Sequence, residues 1–154
     1  YGYLMKYGGA YATTWSMYEN GGRRSGSDFS FLNTDMTPRP SYYHMQMISQ
    51  NFSGRYADGR CNVSTLRTYG AVDMDKIAVM LINVGDRQTS NVRLNNDPID
   101  GSCHVNIDAG VPVTVAQAIG GQTTLVLVVN RQGQLTKRIT YADGSSPQEE
   151  IFDP

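Results

Sequence analysis

The chain has 154 residues, enough to bury one core of ordinary domain size without cross-links. A formal net charge of -1, with 18% charged residues, offers no clustered basic excess, so neither nucleic acid nor an anionic membrane surface is an expected partner. The longest apolar run, "TTLVLVVN" at Thr123 to Asn130, is strand-sized, well short of the roughly 20 apolar residues that span a bilayer.

Sixteen glycines, ten tyrosines and only three glutamates (Glu19, Glu149, Glu150) favour turns and strands over helices. That balance leans towards an extracellular, all-β protein. The opening "YGYLMKYGGAYATTW" has no initiator Met, no basic n-region and no small-residue cleavage site. It does not read as a signal peptide, and the expectation is a chain cut from a longer one.

In chain order, "AYATTWSMY" reads as a buried strand and "ENGGRRSGSD" as a glycine-rich loop carrying Arg23 and Arg24. The stretch "DMTPRPSYYHMQMISQNFSG", Asp35 to Gly54, combines turn residues with a helical pattern. Tyr42, Met45 and Ile48 recur at intervals of three, and Tyr43 and Met47 at four, which makes a broad apolar stripe. Ser41 is the expected N-cap, the two prolines mark the start, and the result is a buried docking helix.

From Cys61 onward the period is two. "NVSTLRTYGAV" and "DKIAVMLINVG" read as strands joined at Asp73 to Asp75, followed by "SNVRLN", the turn-rich "NDPIDGS", "CHVNIDA", "VPVTVAQAIG", "TTLVLVVN" and "LTKRITY". About seven short strands with turn signals every 8 to 12 residues predict a β-sandwich. The expected fold class is therefore mainly β: an antiparallel β-sandwich over residues 59–154, preceded by a strand-loop-helix segment over 1–58. Cys61 and Cys103 could form a disulfide or stand as buried thiols; spacing leaves both open.

A strand ending in Trp15, a long loop, the segment "DFSFLNTDMTPRPSYYHMQMIS" and an all-β module together resemble the C-terminal portion of a (β/α)8-barrel glycoside hydrolase of the retaining two-glutamate clan. In that clan the last barrel strand often ends in a sugar-contacting tryptophan, a phrase of this type introduces the last helix, and a β-sandwich commonly follows. The resemblance implies a secreted parent acting on a polysaccharide. Retaining chemistry needs two carboxylates about 5 to 5.5 Å apart. In the clan these stand on earlier barrel strands, for which the chain has no counterpart, and Glu19 occupies neither position.

Several residues carry candidate chemistry. Trp15 stands where barrel ligands bind, and an indole face stacks on a pyranose ring; the alternative is a core residue closing its strand. Tyr56, Tyr69 and Tyr141 could form an aromatic platform or pack as ordinary cross-strand neighbours. Arg23 and Arg24 could donate forked hydrogen bonds to sugar hydroxyls, a uronate or a sulfate, or remain solvated loop charges. Asn95, Asn96, Asp97 and Asp100 gather hard oxygen ligands as a calcium site would, although Asx-rich turns do the same for their own backbone. His44 and His104 lack a clear third metal ligand, and no G-x-S-x-G elbow or G-K-[ST] phosphate loop occurs.

The expected function is a non-catalytic carbohydrate-binding or barrel-supporting module, with a polysaccharide and the parent barrel as partners and no cofactor beyond calcium. Two alternatives stand beside it. One is a fragment of an active glycosidase whose carboxylates lie elsewhere; the other is a structural sandwich with no ligand.

Overall fold

A computed structural model describes residues 2–9, 17, 30–94, 104–111, 114–142 and 144–154. The chain divides into two compact units, Tyr1–Gln50 and Asn51–Pro154. The fold is mainly β, as the period-two patterning predicts.

In the first unit, helix α1 (Gly2–Lys6) is short and unforeseen in the sequence. Its end is marked by Gly8 at φ 72°, a left-handed conformation that costs glycine little. An isolated bridge pairs Leu32 with Pro38 around a turn that holds Met36 at φ 66°. There the Asp35 Oδ1 accepts from the Thr37 backbone N–H at 3.1 Å and from its hydroxyl at 2.6 Å, a local pairing that turns the chain before the helix.

Helix α2 (Pro40–Asn51) follows, and its start differs from the expectation of a Ser41 cap. Pro40 takes the first helical position, where its fixed φ fits and its missing N–H is not needed. Arg39 stands at the cap, its carbonyl accepting from Tyr42 N–H at 3.0 Å. The Ser41 hydroxyl instead donates to the Ser30 carbonyl at 3.4 Å. On the expected stripe Met47 is buried and Tyr42, Tyr43, Met45 and Ile48 are half-buried, so the helix is less covered than the buried docking helix expected.

Among the described residues the second unit holds ten strands: β1 (Arg55–Ala57), β2 (Gly59–Cys61), β3 (Leu66–Val72), β4 (Lys76–Asn83), β5 (Gln88–Arg93), β6 (His104–Ile107), β7 (Thr114–Ile119), β8 (Thr123–Asn130), β9 (Leu135–Ala142) and β10 (Gln148–Ile151). They form a six-stranded sheet, β1-β3-β4-β8-β9-β10, and a four-stranded sheet, β2-β6-β5-β7. All pairings are antiparallel except β5 with β6, so the smaller sheet is mixed rather than wholly antiparallel. One continuous core draws Leu66, Ile77, Val79, Leu81, Leu125 and Leu127 from the large sheet and Val92, Ile107 and Ile119 from the small one. Side chains from two sheets meeting in one core is the layered arrangement of a β-sandwich.

Two glycines fix how closely the backbones approach. Gly54, at φ 80°, precedes β1, and a Cβ there would lie 2.2 Å from the Val72 carbonyl oxygen. At Gly70 on β3 a Cβ would meet Ile107 Cγ2 at 2.7 Å and the Ala57 carbonyl oxygen at 3.1 Å, so the bare backbone lets β6 of the other sheet pack down. At one end of the sandwich buried Asn83 joins two loops, β4–β5 and β7–β8. Its amide donates to the carbonyls of Asp86 (2.6 Å) and Gly120 (2.9 Å), and its oxygen accepts from Gly85 N–H at 3.0 Å.

Candidate carbohydrate-contact surfaces

Residues directly opposite in a ladder project to the same face, so strand register places each candidate side chain. Tyr56 lies opposite Ala71, Tyr69 opposite Met80, Met80 opposite Val126, and Thr124 opposite Tyr141. Alternation along β3 and β8 then puts Tyr56, Tyr69 and Tyr141 on one face of the six-stranded sheet, the face turned away from the core. Tyr56 and Tyr69 are diagonal neighbours, a relation that separates Cα atoms by roughly 7 to 8 Å. Tyr141 stands three strands away from Tyr69, roughly 14 to 15 Å across the sheet.

The ground between them is apolar. Ala71, Ala78, Met80, Val126, Val128 and Ile139 share this face and are buried, Val126 completely. Tyr141, at 4% exposure, is part of that buried row and has no ring face open to solvent. Tyr56 and Tyr69 are half-buried, and the Tyr56 hydroxyl donates to Asp58 Oδ1 at 3.2 Å. The three tyrosines share a face, but only two of them stand close enough for one sugar ring to span.

The remaining sequence candidates divide by location. Trp15, Arg23, Arg24, Asn95, Asn96, Asp97, Asp100 and Cys103 lie outside the described residues. Cys61 packs at the margin of the core, with the Val63 N–H directed at its sulfur at 3.3 Å. His44 Nδ1 donates to the Pro40 carbonyl at 2.7 Å, which ties the ring to its own helix. Among the described residues no group of three His, Cys, Asp or Glu side chains is placed to hold a metal ion, and no helix is long and apolar enough to cross a membrane.

Two features escaped the sequence reading. Tyr3 on α1 and Tyr7 just past its end lie one turn apart, 64% and 78% exposed, with parallel rings at 6.5 Å between centroids. The spacing of four in "YLMKY" is the signal for that pair. The second feature is a polar row on the outward face of the small sheet, where Arg60 lies opposite Asn106 and Asn106 opposite Arg93. Its residues come from three strands far apart in sequence, so only register brings them together.

The carboxyl of Asp73, in the β3–β4 turn, is held below the ordinary carboxylate value by a hydrogen bond from Ser53 and by the Met74 N–H. Those two hydrogen bonds, with the Lys76 charge beside them, stabilise the carboxylate locally at the turn. No family model matches the chain, and neither the curated proteins nor the solved structures yield a significant match.

Proposed function

We propose that the chain is a non-catalytic accessory module of a secreted, polysaccharide-degrading glycoside hydrolase, and that its β-sandwich supports the parent's catalytic barrel. The parentage rests on the resemblance carried by Trp15 and the "DMTPRPSYYHMQMIS" phrase. The supporting role rests on one observation: the two central strands of the six-stranded sheet, β4 and β8, are apolar and buried on both faces. A two-layer sandwich needs apolar residues only on its inward faces, and a solvated outer face would alternate with polar ones. Here "IAVMLI" in β4 and "LVLVV" in β8 run apolar without alternation, the pattern of strands covered on both sides. Such a sheet is built as a middle layer.

Methionine oxidation tests this directly, because the thioether reacts at a rate set by its access to solvent. Met80 is 2% exposed on the outward face of the sheet, and Met74 is 93% exposed in a turn. Under mild peroxide, peptide mapping is expected to show Met74 oxidised and Met80 protected. Equal rates at the two would mean that the face is open to water and would remove the basis for a supporting role. Release assays on aryl glycosides and on polymers are expected to show no turnover by this chain, and turnover would overturn the non-catalytic reading.

A further inference from the structure

The sequence holds two Asn-x-Ser triplets, Asn51-Phe52-Ser53 and Asn62-Val63-Ser64, and the fold treats them oppositely. Such a triplet is the acceptor signal for an N-linked glycan where its asparagine stands on a surface loop. Asn51 is the last residue of α2 and is 3% exposed, and Ser53 donates a hydrogen bond to the Asp73 carboxylate. A bulky glycan cannot be carried on a side chain so enclosed.

Asn62 stands in the loop between β2 and β3, residues 62–65. Val63 is half-buried and packs against the core, whereas Asn62 and Ser64 on either side of it are exposed. The loop is fixed from behind. Leu66 N–H donates to the Val63 carbonyl at 3.1 Å, Arg67 donates to the Ser64 carbonyl, and the Thr65 carbonyl accepts from Val84 N–H at 2.9 Å. Gln88 Nε2 also donates to the Thr65 hydroxyl at 2.7 Å. These bonds keep the apolar middle residue inward and the two residues that an acceptor triplet uses on the outside.

We infer that Asn62 is an acceptor site for an N-linked glycan and that Asn51 is not. The co-substrate is an oligosaccharide carried on a polyprenyl pyrophosphate. The Asn62 amide nitrogen bonds the anomeric carbon of the sugar, and the bond from that carbon to the phosphate oxygen breaks. The pyrophosphate leaves with the electron pair, one amide proton passes to a base of the transferase, and nothing is oxidised or reduced. The inference rests only on the secreted setting within the function proposed above.

The whole 154-residue chain, sent through a yeast secretory pathway behind a cleavable leader, tests it. Folded, secreted protein is expected to run as a shifted band that peptide-N-glycosidase collapses. Peptide mapping after that digestion in heavy-oxygen water should find label at Asn62 and none at Asn51. Asn62→Gln and Ser64→Ala should each abolish the shift, and Ser64→Thr, which keeps the hydroxyl, should retain it. Ser53→Ala deletes the other triplet at an exposed position and should leave the shift unchanged. Secreted protein with no glycan at Asn62, or with one at Asn51, overturns the inference. Where export is poor, translation into microsomes reads the same shift in the lumen, and absence of a shift there, or one that Asn62→Gln does not remove, also overturns it. Neither result bears on the supporting role of the sandwich, which is read separately from the protection of Met80.

Discussion

The central strands of the six-stranded sheet, β4 and β8, bury both of their faces, whereas β5 and β7 of the four-stranded sheet bury one. In β4 and β8 nearly every residue is buried, whereas β5 and β7 alternate, with Ser90, Val92, Gln117 and Ile119 buried and Thr89, Thr114, Ala116 and Ala118 exposed. The contrast follows from composition. β-Branched and large apolar residues at every position suit a strand packed on two sides, and mixed positions suit one with a wet face. The large sheet therefore carries the load of packing, and the small sheet keeps a face turned to water.

The contrast can be broken most severely on the large sheet. Val126→Lys places a charge on its outward face at a fully buried position, and a loss of about 3 kcal/mol or more is expected in denaturant melts. Ala118→Lys on the outward face of the small sheet should stay within about 0.5 kcal/mol. Similar losses at the two positions would erase the distinction between the sheets.

Smaller effects test the interior that the sheets share. Gly70→Ala pushes a methyl group against Ile107 and should cost about 1 to 3 kcal/mol, with partial recovery in the Gly70→Ala, Ile107→Val double variant. Ser90→Ala removes a buried hydroxyl that has no hydrogen-bond partner among the described residues, so stability should be unchanged or raised by up to about 1 kcal/mol.

The smallest effect is a pH dependence. The Asp73 carboxyl is depressed below its ordinary 3.8, so it stabilises the fold above that value. The contribution fades as pH falls from 3.8 through the lower folded value. Acid melts of wild type and Asp73→Asn should therefore converge at low pH and separate above it.

Legibility in the sequence followed the strength of the local pattern. β3, β4, β8 and β9 were readable because each has six or more residues with a clear apolar run or alternation. β1 and β2, of three residues each, and the fully exposed β10 carry too little pattern to be read alone. The β10 pairing is supported by neighbours across the ladder, Lys137 with Glu149 at 3.3 Å and Arg138 with Glu150 at 2.6 Å, contacts that a linear reading does not reveal. The helix of the "PRPSYYHMQMIS" phrase was readable from its apolar spacing, but its first residue was not. Proline at the first position and serine at the cap are both acceptable starts, and the Asp35–Thr37 turn decided between them. Of the site, the tyrosines could be named from composition, but their common face depends on pairings across five strands.

The parallel pairing of β5 with β6 also bears on the order in which the molecule assembles. Each strand pair β3–β4 and β8–β9 joins neighbours in sequence and closes through a short turn. In the small sheet, by contrast, Cys61 must wait for Val105, and β6 must come round to run alongside β5. Long closures are paid in chain entropy before contacts reward them, so the hairpins β3–β4 and β8–β9 are expected to form first, and the distant pairings β4–β8 and β2–β6 late. The row of Arg60, Asn106 and Arg93 would then be among the last surfaces to appear. Its presence on the folded chain would report that the whole sandwich, and not merely its hairpins, has come together.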